Sequence, residues 1–368
     1  MVPVNTPLLD GNEKKYINEC IDTGWISSEG PYVNRFEEYM SSYVGRKYAT
    51  ACSNGSAALD IVIAALELQK GDEVIMPSFT IISCAQSLIK RGVKPVLVDS
   101  DIRTFNMNIN EIEAKITPRT KAIMIVHIYG LSVDIDPILD IAKKNNLRVI
   151  EDAAEMIGQE YKGRKCGSFG DISVLSFYPN KHITTGEGGM VLTNDENLDK
   201  RSKSLRNLCF TEDRFIHDEI GWNYRMTNMQ AALGVAQLEQ IDKKIEKKRW
   251  IGHTYDELLK DIRAIILPVV KTDYCENIYW VYAVMLKDEY SETAKKVMAE
   301  LAEFGIGTRP FFYPMHKQPV FNRMGLFLDD VLPNSEKLHE RGFYIPSGLG
   351  ITEEQLEKVS KTLREVLI

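Results

Sequence analysis

Lys181 is the residue of this chain best placed for covalent chemistry. It closes the run Ser176-Phe177-Tyr178-Pro179-Asn180-Lys181 and precedes His182-Ile183-Thr184-Thr185-Gly186-Glu187-Gly188-Gly189. Apolar runs at 172–175 and 190–192 flank this segment and read as short buried strands. Burial between core strands disfavours a lysine's charged form and makes its amine a better nucleophile. That is what a lysine forming a Schiff base with a carbonyl requires. A surface turn with an ordinary exposed lysine is the competing reading, so other segments must decide.

Two further stretches offer partners. Ser53-Asn54-Gly55-Ser56-Ala57-Ala58 leaves a strand and opens a helix. Free N–H groups and the helix dipole at such a start favour an anion, so Gly55 and Ser56 form a candidate phosphate seat, with a plain helix cap as the alternative. Glu151-Asp152-Ala153-Ala154-Glu155 ends an apolar strand. A carboxylate there is costly unless it meets a cation or several donors. No second acidic cluster supports a glycosidase and no histidine has metal-ligand spacing, so no metal is expected. A single carboxylate facing a protonated heterocycle fits better, and helix capping stays open.

These segments need a scaffold. Helical spacing covers 10–23, with Asp10 as the expected N-cap, and Pro31 suits the first turn of the next helix. Strands are then expected at 48–52, 73–76, 95–98, 122–126 and 148–150. Helices are expected between them at 56–68, 81–91, 109–116 and 135–145. This rhythm predicts an α/β protein with a mostly parallel sheet covered on both faces, ligands lying beyond the strands' carboxyl ends. A helix at 198–207 and a single long helix from 229 to about 250 follow, the latter small and apolar at its start. The charged run Lys243–Arg249 marks the expected domain boundary, giving 1–248 and 249–368. Beyond it a strand at 279–285, helices at 294–304 and 353–367, and an aromatic segment at 308–316 read as a smaller α+β domain.

Composition excludes several classes. The 368 residues are 44% hydrophobic and 26% charged, which suits a folded globular chain rather than a disordered one. Net charge is −7, and no long basic block would track a nucleic acid. Six scattered cysteines without paired spacing argue against a zinc site or a disulfide framework. No secretory leader pattern and no membrane-length apolar run is apparent, so a cytoplasmic setting is expected.

Taken in order, Glu151–Glu155, Ser176–Lys181, Gly186-Glu187-Gly188-Gly189 and Asn223-Tyr224-Arg225-Met226-Thr227 form a combined pattern. The chain resembles the nucleotide-sugar aminotransferases, pyridoxal-phosphate (PLP) enzymes of the aspartate-aminotransferase fold, type I. Glu155, Thr184–Gly189 and Arg309-Pro310-Phe311-Phe312-Tyr313-Pro314 look like the subgroup acting on GDP-linked sugars. The resemblance implies a three-layer αβα large domain with a mixed, mostly parallel sheet, plus the smaller C-terminal domain.

It also implies roles. Lys181 would bind the PLP aldehyde, Asp152 would keep the pyridine nitrogen protonated, and Glu155 would lie near the ring. Gly55, Ser56 and Ser176 would hold the phosphate, with Asn223 reaching it from the neighbouring subunit of a homodimer. Glutamate would be the amino donor and a 4-keto-6-deoxy nucleotide sugar the acceptor. Trp25, Arg309, Tyr313 and His316 are candidate substrate contacts. One departure stands out, because many relatives place an aromatic over the ring where this chain has Ile81, and aromatic stacking is then lost. A sugar 3-dehydratase of similar fold would have histidine in place of Lys181. A 3-aminotransferase would share the cofactor residues. A silent sensor or scaffold would have lost Lys181 or Asp152. A nicotinamide dehydrogenase would need GxGxxG after its first strand, where this chain has Ser53-Asn54-Gly55-Ser56.

Overall fold

The computed structural model describes residues 1–213 and 215–367. Helices α1 (Glu13–Thr23) and α2 (Pro31–Val44) lead in. Then come β1 (Tyr48–Cys52), α3 (Gly55–Ala65), β2 (Glu73–Pro77), α4 (Ile82–Lys90), β3 (Lys94–Val98), β4 (Thr120–Val126), α5 (Ile135–Lys144) and β5 (Arg148–Asp152). A small hairpin, β6 (Glu160–Tyr161) and β7 (Arg164–Lys165), precedes β8 (Ile172–Ser176) and β9 (Gly189–Thr193). Helices α6 (Glu196–Arg206), α7 (Asn228–Leu238) and α8 (Ile241–Leu259) follow. The remainder holds β10 (Ile265–Ile266), β11 (Tyr282–Leu286), α9 (Ala294–Glu303), β12 (Arg309–Pro310), α10 (Pro319–Arg323), α11 (Pro333–Arg341), β13 (Gly342–Ile345) and α12 (Glu353–Leu367).

The large sheet has the order β1-β9-β8-β5-β4-β2-β3. Strand β9 runs antiparallel to both its neighbours, while β8, β5, β4, β2 and β3 are parallel. Alternation along β4 splits the core in two. Ile123 and Ile125 face one apolar cluster with Phe36 and Met40 of α2, and Ala122 and Met124 face another with Ile61 of α3 and Leu88 of α4. Near-continuous apolar strands are what a sheet covered on both faces requires.

Registry gathers the chemistry. Cys52 and Ser176 both pair with Gly189, and Asp152 pairs with Val174. The carboxyl ends of β1, β8 and β5 therefore lie side by side with the start of β9. A second sheet, β10-β11-β13-β12, packs α8, α9 and α12 around its own apolar cluster.

Four local expectations are corrected. The segment 109–116 forms two 3-10 turns, Ile109–Glu111 and Glu113–Lys115, bounded by the Asn108 side chain, which accepts the Asn110 N–H, and by Thr117-Pro118, where the proline disfavours helical backbone at the residue before it. Asp10 does not cap α1; Asn12 holds that position, and Glu13 accepts the Gly11 N–H instead. The long helix from 229 is two helices, broken at Glu239-Gln240, where Glu239 accepts hydrogen bonds from Asn12 and Tyr16. Strand β11 starts only at Tyr282, since Tyr279 lies in the left-handed region at φ 48°. Position 248 falls inside α8, which carries Ile241 and Ile245 in the first core and Ile251, Tyr255 and Leu259 in the third.

Candidate active site

The phosphate seat is built where α3 meets the end of β8. Asn54 caps α3, its Oδ1 accepting the Ala57 N–H at 2.8 Å. The first helical N–H groups have no acceptor within the helix. A Cβ on Gly55 would sit 3.0 Å from Ser176 Cβ, a tight contact, so glycine eases the close approach of α3 to β8. Ser56 Oγ lies 2.7 Å from Ser83 Oγ on the first turn of α4. Hydroxyls from Ser56, Ser83 and Ser176 thus share one wall with a helix N-terminus, a donor-rich anion site.

Asp152 closes β5 and is buried. Its Oδ1 accepts from Ala154 N–H at 3.0 Å, and Oδ2 accepts from the Cys84 thiol at 3.2 Å. Burial pushes its carboxyl above the ordinary range, offset in part by those donors and by the Lys181 charge. Glu151, one residue earlier, points to the opposite face. There it accepts from Gly167 and Phe169 N–H and lies 3.1 Å from His127 Nε2. Strand alternation therefore separates a structural carboxylate from a site carboxylate.

Glu155 accepts the Tyr129 N–H at 2.7 Å, and burial pushes it up to about 8, against the pull of the Lys181 charge. Lys181 Nζ lies 3.9 Å from Glu155 Oε1 and 3.9 Å from the centroid of the Trp280 ring. Its amine is lowered from the ordinary lysine value by burial, with Glu155 and Asp152 opposing. The loop before it is pinned from both sides. Trp280 Nε1 donates to Asn180 O at 2.9 Å, and Asn5 Nδ2 donates to Pro179 O at 3.0 Å. Gly189 lets this assembly close, since a Cβ there would meet Asn54 O at 2.4 Å.

Gly55, Ser56, Asp152, Glu155, Ser176 and Lys181 all line one cavity of about 600 Å³. Ile81 lies on its wall and is 45% exposed. The other candidates lie elsewhere. Asn223 is on the surface, its carboxamide accepting from Arg225. Trp25 is half-exposed, and its carbonyl accepts from Asn228. Arg309 lines an adjoining chamber of about 230 Å³ that shares Tyr178, Asn180, Trp280 and Tyr344 with the main cavity. Tyr313 packs edge-on against His339. His316 does not line the cavity. It is buried, with Nδ1 2.8 Å from Ser78 Oγ and Nε2 3.0 Å from Glu336, and so ties α11 to the end of β2. Sequence reasoning missed Ser83, Cys84 and Trp280. Ser83 and Cys84 carry no motif, and Trp280 appeared only as part of an apolar strand.

A family model, the DegT/DnrJ/EryC1/StrS aminotransferase family, matches residues 7–364. The chain belongs to this family. It is 42% identical over 368 residues to a GDP-perosamine synthase of Caulobacter vibrioides, covering 100% of this chain and 98% of the relative. It is 41% identical over 365 residues to a GDP-perosamine synthase of Escherichia coli O157:H7, with coverages of 99% and 98%. Among solved structures, it is similar to PseC of Helicobacter pylori, an aminotransferase involved in pseudaminic acid biosynthesis. That similarity has a TM-score of 0.94 at 25% identity, covering 100% and 99% of the two chains.

The aminotransferase is therefore a PLP-dependent enzyme acting on sugars. PLP, when bound, supplies an aldehyde that carries the amino group and a conjugated ring that takes up electrons. The residues present fit it. Asp152 is a buried carboxylate whose direct hydrogen bonds come from an amide and a thiol and from no cation, which leaves it free to face a pyridinium N–H. The Gly55-Ser56-Ser176 wall suits a phosphate, and Lys181 is desolvated for attack. Lys181 Nζ would be the group that holds and returns a proton when detached, with the Glu155 and Asp152 charges favouring its protonated form.

Proposed function

We propose that this aminotransferase moves an amino group from glutamate to C4 of a nucleotide-linked 4-keto-6-deoxy sugar, with GDP-4-keto-6-deoxymannose as acceptor and GDP-perosamine as product. The observation that carries this reading is the full-length similarity to two GDP-perosamine synthases at 42% and 41% identity. Retention of Lys181 and Asp152 in one cavity supports transamination rather than a silent scaffold. Arg309, in the chamber beside the cavity, is positioned to meet the acceptor's diphosphate, with Trp25 and Tyr313 outside the cavity as further contacts.

The active unit in this proposal is a homodimer. Asn223, which lies outside its own chain's cavity, completes the phosphate seat of the second copy. Among the described residues no helix is long and apolar enough to cross a membrane.

The test is incubation with PLP, glutamate and a panel of GDP-, dTDP- and UDP-linked 4-keto-6-deoxy sugars, read by mass spectrometry. The GDP sugar is expected to gain an amine fastest. Amination of only a dTDP or UDP sugar would overturn the substrate assignment. Failure of borohydride to fix PLP on Lys181 would overturn the site itself. Asn223→Ala is expected to weaken PLP retention, and unchanged retention would count against the shared site.

A further inference from the structure

Trp280 is held more firmly than a packing residue needs to be. Its carbonyl accepts from Lys248 Nζ at 2.8 Å, and the same ammonium donates to Ser347 O at 2.6 Å. Lys248 is buried on α8 with no carboxylate among its hydrogen-bond partners. The Trp280 indole N–H is committed to Asn180 O, in the residue next to Lys181. Tyr279, just before it, sits at φ 48° with its N–H on Asn277 Oδ1 at 2.7 Å. These contacts fix the ring with Lys181 Nζ 3.9 Å from its centroid.

The amine has few other supports. Among the described residues its Nζ makes no hydrogen bond, and Glu155 at 3.9 Å is its one ion-pair contact. Glu155 and Asp152 act on its charge, His127, Tyr178, Glu187 and Tyr344 share its cavity, and the buried His182 is its neighbour in sequence. A hydrogen-bonded carboxylate would stabilise the ammonium but pin it in one direction. An aromatic face stabilises the ammonium without fixing the direction of its N–H bonds.

We propose that Trp280 is a further catalytic residue, whose indole face carries the Lys181 ammonium whenever that amine is detached from the cofactor. The amine can then reach either end of the proton path while remaining protonated for part of the cycle. No bond is made to the ring, and the proton stays on Nζ until it is returned. The proposal rests on Lys181 as the cofactor lysine and is independent of which sugar is aminated.

The test uses enzyme loaded with the amine form of the cofactor, pyridoxamine phosphate, which leaves Lys181 unattached. The rate of Lys181 labelling by a small acylating reagent, read by peptide mass spectrometry across pH, gives the midpoint of its amine. Replacing the four tryptophans with mono-, di- and trifluorinated analogues drains electron density from the ring at nearly constant size. Trp280 is the one tryptophan with a lysine over its ring among the described residues. The midpoint is expected to fall stepwise, by about 1 pH unit across the series. In Trp280→Phe the fluorinated analogues should have no effect. A midpoint that stays constant across the series in the wild-type chain would overturn the proposal, whether or not Trp280→Phe folds. So would an equal shift in Trp280→Phe.

Discussion

The Cys84 thiol lies 3.2 Å from Oδ2 of Asp152, deep beneath the cavity floor. Burial and the neighbouring carboxylate hold the thiol far above its ordinary range, so it is a donor and not a nucleophile. Asp152→Asn keeps shape and removes charge. It is expected to leave the fold intact and cut amino transfer by at least about 100-fold. Cys84→Ala removes one donor worth about 1 kcal/mol, so PLP affinity should fall less than about tenfold. Titration of cofactor absorbance with each variant distinguishes the two effects, and equal losses would refute the division of roles.

Gly189 and Gly186 predict opposite failures. A Cβ at Gly189 collides with the Asn54 carbonyl, so Gly189→Ala should displace the start of α3 and weaken PLP binding by tenfold or more, matching an overpacking cost of about 1–3 kcal/mol. Gly186 has open space around it but lies at φ 79°. Gly186→Ala should cost about 1–2 kcal/mol of stability and leave cofactor affinity nearly unchanged. Thermal melts alongside PLP titration check both.

Glu155 gives the cofactor-free protein a pH signature. Its folded carboxyl is raised to about 8, above its unfolded value of about 4.3. Between those values the folded state holds more protons than the unfolded one, so stability from this group is lost as pH rises. Glu155→Gln removes that loss. The melting temperature of Glu155→Gln relative to wild type should rise from pH 5 to pH 8, and a constant difference would contradict it.

Lys248 acts with the opposite sign. Burial lowers its amine to about 7, against about 10.4 when unfolded. The unfolded state then binds more protons between those values, so this group makes stability rise with pH. Lys248→Met should therefore be at its best relative to wild type near pH 7 and lose ground by pH 9. The slope is bounded by about 1.4 kcal/mol per pH unit. Chemical denaturation at several pH values measures it.

The sheet and much of the site could be read from local residue patterns. Strand ends at Cys52, Asp152 and Ser176 announce themselves because apolar runs stop there and polar residues begin. What escaped was set by distant segments. The break at Glu239 contains neither proline nor glycine; it coincides with bonds to Asn12 and Tyr16, more than 200 residues away. His316 is a candidate contact to sugar or base with packing as the alternative, and Ser78 and Glu336 lie within hydrogen-bond distance of its two nitrogens. Trp280 follows a left-handed residue that periodicity cannot foresee. Lys181, Asp152 and the Gly55-Ser56-Ser176 wall, by contrast, meet in one cavity because the strands that end in them are adjacent.

Helix α8 carries a mechanical consequence. Its 19 residues run without interruption from the core beneath the large sheet to the core of the second sheet. Lys248, midway along, bolts Trp280 and Ser347 to the same shaft. Swinging the C-terminal sheet away as a rigid lid would bend that shaft and tear two buried bonds. The ring beside Lys181 is thus moored to a helix that both cores share rather than to a separately hinged unit.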